Sequence, residues 1–120
     1  QIADVLRESQ PKVETVAAEV ERLASGELGP EAVAELELHL QASRDPELQE
    51  ASARCFAAYD DVAAAALQAL GIPDPEQHAP IVVALISGMA LRRLGTGQTD
   101  ATGLATALVT LFRGVQADHA

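Results

Sequence analysis

Residues 80–94 read Pro-Ile-Val-Val-Ala-Leu-Ile-Ser-Gly-Met-Ala-Leu-Arg-Arg-Leu, and this stretch decides how the chain can fold. Between Ile81 and Leu91 only Ser87 has a polar side chain. A surface helix of a small globular protein has one apolar and one polar face, whereas this stretch is apolar on all sides. It is also shorter than a helix that spans a bilayer. We therefore expect it to be covered twice, by its own chain and by a second copy of the protein.

The composition around this stretch predicts one all-α domain over residues 1–120. A chain of 120 residues is long enough for a single modest core. The apolar fraction of 48% is too high for a disordered protein, and much of it is alanine. Small side chains let helices approach closely, whereas the β-branched and aromatic runs of a sheet protein are missing.

The charge excludes several partners. Eighteen acidic and eight basic residues leave a net charge of −10, which repels nucleic acid phosphates and anionic membranes. Cys55 is the single cysteine, so the chain cannot form an intrachain disulfide, and a reducing cytoplasm fits. We expect a cytoplasmic protein without a signal peptide or a transmembrane segment. Because the chain starts at Gln1 rather than methionine, we also expect residues upstream of it.

Proline, glycine and capping residues divide the chain into about five to six helices. Helix starts are expected at Pro11, Pro30 and Asp45-Pro46, then at Asp74-Pro75 and at Thr99 or Asp100. Apolar spacing predicts the buried faces. These faces comprise Val13, Val16, Val20 and Leu23; Val33, Leu36 and Leu40; Leu48, Ser52, Cys55, Tyr59, Val62, Ala66 and Leu70, widened by Phe56, Ala63 and Leu67; and Ala101, Leu104, Leu108, Leu111 and Val115.

No pattern for catalysis or metal binding emerges. The His-Glu-x-x-His motif and the Glu-x-x-His pairs of di-iron bundles are both absent. Glu35 and His39 are four residues apart on one helix, and we interpret His39 as a solvated or pocket-wall residue rather than a metal ligand. Cys55 is interpreted as a buried structural residue. We predict no catalytic residue, no metal ligand and no cofactor.

The second half of the chain carries an ordered set of segments. These are Asp45-Pro-Glu-Leu48, Tyr59, Leu67-Gln-Ala-Leu-Gly-Ile-Pro73, Ala79-Pro80, Leu85-Ile-Ser-Gly-Met-Ala-Leu-Arg-Arg-Leu94 and Leu108-Val-Thr-Leu-Phe-Arg-Gly114. Their order and spacing resemble the C-terminal regulatory domain of TetR-family transcriptional repressors, over about residues 45–115. Residues 1–44 match that domain only in their helical plan.

The resemblance implies a homodimer of antiparallel helical bundles. The last two long helices would pair with those of the partner as an intersubunit four-helix bundle. An N-terminal helix-turn-helix head, absent from this sequence, would bind operator DNA, and residues 1–8 would end the helix that joins head and body. The expected interface residues are Ala84, Ser87, Gly88, Leu91, Leu104, Leu108 and Leu111.

The resemblance also implies a cavity for a small, often apolar effector, whose binding would change the spacing of the two heads. The candidate wall residues are His39, Phe56, Tyr59, Met89 and Phe112, although the aromatic residues and Met89 also suit a plain core. Our first hypothesis is therefore a non-enzymatic, effector-sensing domain. The alternative is a structural helical oligomerisation module without a ligand. A small helical enzyme or metal bundle ranks third, because no catalytic or metal-binding pattern emerges.

Overall fold

The computed structural model describes Ile2 and residues 11–119, and the range 11–119 contains five helices. They are α1 (Val13–Ala24), α2 (Pro30–Ala42), α3 (Pro46–Ala69), α4 (Pro75–Thr96) and α5 (Leu104–Asp118). The described residues form no strand, so the predicted all-α helical bundle is confirmed. Apart from Ile2, the expected helix end at residues 1–8 lies outside the described residues.

Asp45 and Asp74 were both predicted to cap a helix, but only Asp45 makes a capping hydrogen bond. Asp45 caps α3 as predicted, because its Oδ1 accepts a hydrogen bond of 3.0 Å from the backbone N–H of Glu47. Asp74 precedes α4, but its side chain makes no capping hydrogen bond, and its φ of 52° is left-handed. The Asp74 carboxylate lies instead 3.1 Å from Nε2 of His119, at the end of α5.

The predicted start of the last helix is wrong. Asp100 Oδ1 accepts hydrogen bonds from the backbone and hydroxyl of Thr102, which closes a turn before the helix. The helix begins at Leu104, after Gly103 with a φ of 97°. Its first N–H groups are capped from α1, since Oε1 of Glu21 accepts from the backbone of Gly103 at 3.1 Å and of Ala105 at 3.0 Å.

The core lies where α3 packs on α4 and α1 packs on α5, while α2 packs on the outer side of α3. Side chains from α1, from the end of α3, from α4 and from α5 fill this core. Its buried members are Ala17, Leu67, Leu70, Ile72, Ala79, Val82, Ala101, Leu104, Leu108, Phe112 and Val115.

The predicted buried face of α2 is wrong by about a third of a turn. Val33 and Leu40 are exposed, the latter by 59%. The residues of α2 that border the cavity between the helices are Ala32, Glu35, Leu36 and His39. In this orientation Glu35 and His39 make polar contacts to α3, which the apolar spacing of α2 does not reveal. Leu23 in α1 and Val62 in α3 are likewise exposed.

The apolar helix α4 is covered on one side only by its own chain. Ala79, Val82 and Val83 are buried, whereas Ile81 and Leu91 are 55% and 53% exposed. The expectation that the chain itself covers one side is therefore confirmed. Coverage of the other side by a second copy stays a prediction.

The helix α4 runs over 22 residues, from Pro75 to Thr96, and continues through Pro80. By length and composition alone, a helix of this kind could cross a membrane, although the apolar stretch from Ile81 to Leu91 is by itself shorter than a bilayer requires. Core helices of soluble proteins meet the same criterion, so this property by itself assigns no membrane role.

One buried cation ties α4 to the rest of the fold. Arg93 is 5% exposed and donates hydrogen bonds to the backbone oxygens of Ala24 at 2.6 Å and Ser25 at 3.3 Å. It also donates to the backbone oxygen of Thr99 at 3.0 Å. These bonds satisfy carbonyls at the C-terminus of α1, where the helix dipole favours a positive charge. Arg93 therefore joins the end of α1 to the connection between α4 and α5.

Candidate ligand-binding cavity

A cavity of about 810 Å³ opens between α2, α3 and α4, and side chains of α1 and α5 close its inner side. This volume lies within the range of small-molecule sites in proteins. Most of the lining is aliphatic or aromatic. The lining residues are Val16, Val20, Leu28, Ala32, Glu35, Leu36, His39, Phe56, Tyr59, Val62, Ala63, Ala66, Leu70, Val82, Val83, Ile86, Ser87, Gly88, Ala90, Leu91, Leu94, Leu108 and Phe112.

Four of the five predicted wall residues line this cavity: His39, Phe56, Tyr59 and Phe112. Whether they contact a ligand stays a prediction. Met89 is not among the residues that line it, and its role as a wall residue stays a prediction. Met89 lies one position beyond Gly88, about 100° further around α4, and so faces a groove between α4 and α5.

Five polar side chains form what we call the polar cluster, at the α2–α3 end of the cavity: Glu35, His39, Ser52, Cys55 and Tyr59. Glu35 is its centre, because Oε1 accepts from Sγ of Cys55 at 3.2 Å and Oε2 accepts from the Tyr59 hydroxyl at 3.0 Å. Nδ1 of His39 lies 2.6 Å from Oγ of Ser52. The cluster therefore links the two helices by three side-chain contacts.

The spacing of residues on the two helices explains how this cluster forms. Glu35 and His39 are four apart on α2, while Ser52, Cys55 and Tyr59 recur every three or four residues on α3, so each set occupies one face. Both sets were visible in the sequence. What sequence reasoning missed was that the two faces meet, and with it the importance of Glu35, Ser52 and Cys55.

The Phe56 ring completes this end of the cavity. It stacks on the imidazole of His39, with ring centroids 4.5 Å apart and an interplanar angle of 29°. Stacking and the contact with Ser52 together restrict the orientation of the imidazole. The cavity thus has one end with fixed polar groups, while its remaining walls are almost entirely apolar.

The polar cluster changes the acidity of two of its members. The hydrogen bond to the Glu35 carboxylate, followed by burial, raises the pKa of Tyr59 to about 12. Burial, followed by the hydrogen bond to Glu35, raises the pKa of the Cys55 thiol. Negative charge on either group would lie beside a carboxylate, which favours the protonated forms. Both side chains are therefore hydrogen-bond donors at neutral pH.

We predict that Tyr59 ionises about two pH units later than a free tyrosine. It is the single tyrosine in a chain without tryptophan, so ultraviolet difference absorbance reports on it alone. At about pH 10 a free phenol is half ionised, whereas the Tyr59 phenol should remain almost fully protonated. The substitution Glu35→Gln should move the midpoint back toward 10.

The pH dependence of stability follows from the same shift. Because the folded-state pKa of Tyr59 lies above the unfolded value, its contribution to stability is complete below about pH 10. That contribution is lost as the pH rises toward 12. A midpoint near 10 in the parent, unchanged by Glu35→Gln, would show that the Tyr59–Glu35 hydrogen bond does not persist in solution.

The interface residues predicted on α4 lie at two places, the groove between α4 and α5 and the cavity. Ala84 and Gly88 border the groove between α4 and α5, together with Leu85 and Arg92. Ser87 and Leu91 border the cavity instead, and Gly88 lies at the edge of both. These positions stay predictions as partner contacts.

The interface residues expected on α5 pack against the core of their own chain, and as partner contacts they stay predictions. Leu104 and Leu108 are 3% and 0% exposed in the single chain and belong to its buried core. Leu104 also borders the groove between α4 and α5. Leu111 is half-buried and packs against the same core.

Comparison with known proteins gives one match. Residues 11–116 match a family described as "Tetracyclin repressor-like, C-terminal domain". No curated protein and no solved structure matches the chain. The matched range includes all of the first four helices and all but the last two residues of α5. The chain therefore belongs to the tetracyclin repressor-like C-terminal domain family, whose members are non-enzymatic parts of TetR-family transcription regulators.

Proposed function

We propose that this chain is the effector-sensing and dimerisation domain of a TetR-like transcriptional repressor. A small molecule would bind in the cavity and change the operator affinity of an N-terminal helix-turn-helix head. The cavity of about 810 Å³, with fixed polar groups at one end, is the observation that carries this proposal. The net charge of −10 is consistent with a body that leaves DNA contact to the head and acts in the cytoplasm.

The lining supports an effector with a mainly apolar body and one polar end. Val16, Val82 and Phe112 are typical of the deep walls, which offer dispersion contacts and remove apolar surface from water. Glu35 and His39 offer hydrogen-bonding groups at a single end. A few polar groups in an apolar site fix the orientation of a ligand, so these two residues would determine specificity.

The open flank of α4 supports a second copy as the partner. Ile81 and Leu85 are exposed on α4, beside a groove that small residues line on both helices. These small residues are Ala84, Gly88, Gly103 and Ala107. Small side chains permit close approach of a neighbouring helix pair, as an intersubunit four-helix bundle requires. The homodimer would form across this surface.

The position of α4 supports a route from effector to partner. Val83 and Ser87 border the cavity, whereas Ala84 and Leu85 border the groove. A ligand that favours one position of α4 would thereby favour one arrangement of the two subunits and of their heads. The effect on DNA binding equals the difference in ligand affinity between the two arrangements.

A cavity-filling substitution tests the ligand site. We expect Ala66→Trp to abolish the rise in melting temperature that a binding compound produces, because Ala66 lines the cavity and the indole would occupy it. The measurement is thermal unfolding against a panel of apolar compounds with one polar end. Ala65→Trp is the matched control, since Ala65 is exposed on the same helix and does not line the cavity.

The same experiment separates the proposal from a structural role. A compound that raises the melting temperature of the parent and of Ala65→Trp, but not of Ala66→Trp, supports effector binding in the cavity. If no compound stabilises the parent, the structural oligomerisation module becomes the better description. Equal stabilisation of both tryptophan variants would place the binding site elsewhere.

A further inference from the structure

We propose that Glu35, His39 and Cys55 form a binding site for a divalent transition-metal ion of the Zn²⁺ class, at the polar end of the cavity. A carboxylate oxygen, an imidazole nitrogen and the thiol sulfur of these residues all lie within 4.8 Å of one another. Each side chain is partly buried, and two different helices supply them. The site goes beyond effector binding, because the apolar walls of the cavity take no part in it.

The separations fit one ion between the three atoms. Zn²⁺ binds sulfur at about 2.3 Å and nitrogen or oxygen at about 2.0–2.2 Å, so tetrahedral ligand atoms lie roughly 3.3–3.8 Å apart. Sγ of Cys55 lies 3.2 Å from Oε1 of Glu35, and Nε2 of His39 lies 3.7 Å from the same oxygen. The sulfur and the imidazole nitrogen lie within 4.8 Å of each other, so small side-chain adjustments would bring all three atoms to coordination distance.

Neighbouring contacts orient two of the ligands. Nδ1 of His39 is engaged by Oγ of Ser52 at 2.6 Å, which leaves Nε2 for the ion. The Tyr59 hydroxyl donates to Oε2 of Glu35 and leaves Oε1 available. Metal sites use such outer contacts to hold ligating imidazoles and carboxylates in place.

The donor set selects the class of ion. One sulfur, one nitrogen and one oxygen suit Zn²⁺ and similar ions, whereas Mg²⁺ and Ca²⁺ prefer oxygen donors alone. On binding, the thiol of Cys55 releases its proton to solvent, and the metal–sulfur bond replaces the hydrogen bond to Glu35. Three protein ligands would leave a fourth position for water, and two of these ligands, Glu35 and His39, line the cavity.

Cobalt titration of the full chain tests this site. Co²⁺ substitutes for Zn²⁺ in such sites, and a thiolate ligand produces a charge-transfer absorption band. Because Cys55 is the single cysteine, this band can arise only from Cys55. We expect one Co²⁺ per chain, tetrahedral visible bands, and loss of the spectrum when one equivalent of Zn²⁺ is added.

Four variants locate the ligands. Cys55→Ser should remove the charge-transfer band, and Glu35→Gln and His39→Gln should each weaken binding more than Ser52→Ala does. Ser52→Ala should raise the dissociation constant about 10- to 100-fold, because it removes only the support of the imidazole. Glu37→Gln is the matched control, an exposed glutamate on the same helix. Circular dichroism verifies that each variant is folded.

The result that overturns this proposal is equally specific. Absence of a charge-transfer band at millimolar Co²⁺, in folded parent protein, rules the site out. Unchanged cobalt binding in both Cys55→Ser and His39→Gln would place the ion at other groups and also contradicts it. Neither result affects the stabilisation by apolar compounds, so failure here is distinguishable from failure of the proposed effector site.

Discussion

Replacing Arg93 by methionine is expected to lower the free energy of unfolding by about 3 kcal/mol. The guanidinium is 5% exposed and donates to the backbone oxygens of Ala24, Ser25 and Thr99. Methionine replaces the aliphatic part of the arginine side chain but has no donor, so these carbonyls would lose their partners inside the protein. Urea unfolding at one fixed protein concentration provides the measurement, because self-association also contributes to apparent stability.

The control for this substitution is Arg54→Met, which removes the same charge from an exposed position on α3. We expect it to change stability by no more than about 0.5 kcal/mol. Equal effects of the two substitutions would mean that Arg93 acts only through the charge of the chain. A loss below about 1 kcal/mol for Arg93→Met would show that water replaces its hydrogen bonds at little cost.

The substitution Gly88→Leu is expected to weaken dimerisation by about 1–3 kcal/mol, which raises the dissociation constant roughly 5- to 150-fold. A Cβ atom placed on Gly88 meets nothing within 4 Å in the single chain. The single chain therefore has room for a Cβ atom at this position, so we attribute the expected loss to crowding against the partner helix. Sedimentation equilibrium measures the effect directly.

Gly95→Leu is the matched control for the dimer prediction. Gly95 lies two turns further along α4, is exposed, and also has nothing within 4 Å of an added Cβ atom. Both substitutions raise helix propensity to a similar degree, so that contribution cancels. A parent that is monomeric at micromolar concentration, or a Gly88→Leu variant that dimerises as tightly as the parent, would refute the proposed interface.

Features that depend on residues close in sequence could be predicted, whereas features that depend on residues far apart in sequence could not. The start of α3 was predicted correctly because Asp45 caps the backbone of Glu47, two residues away. The start of α5 was not, because its cap is Glu21, 82 residues from Gly103. A cap supplied by a residue next to the helix start can be recognised in the sequence, whereas a cap supplied by another helix depends on how the helices pack.

The cavity shows the same division. Its aromatic residues could be proposed from the sequence, and Phe56, Tyr59 and Phe112 all line it. Met89 was proposed with them but borders the groove between α4 and α5, because an apolar helix has no polar face that indicates its rotation. Leu104 and Leu108 were predicted at the partner interface, and in the single chain they belong to the buried core.

The sequence by itself determined the helical class, the approximate number of helices and the excess of apolar surface on α4, because these depend on composition, spacing and local capping. Only the tertiary structure decided which faces meet. Glu35 reaches Cys55 across 20 residues, and Arg93 reaches the backbone of Ala24 across 69. Such contacts depend on the relative rotation of packed helices, which periodicity within a single helix does not specify.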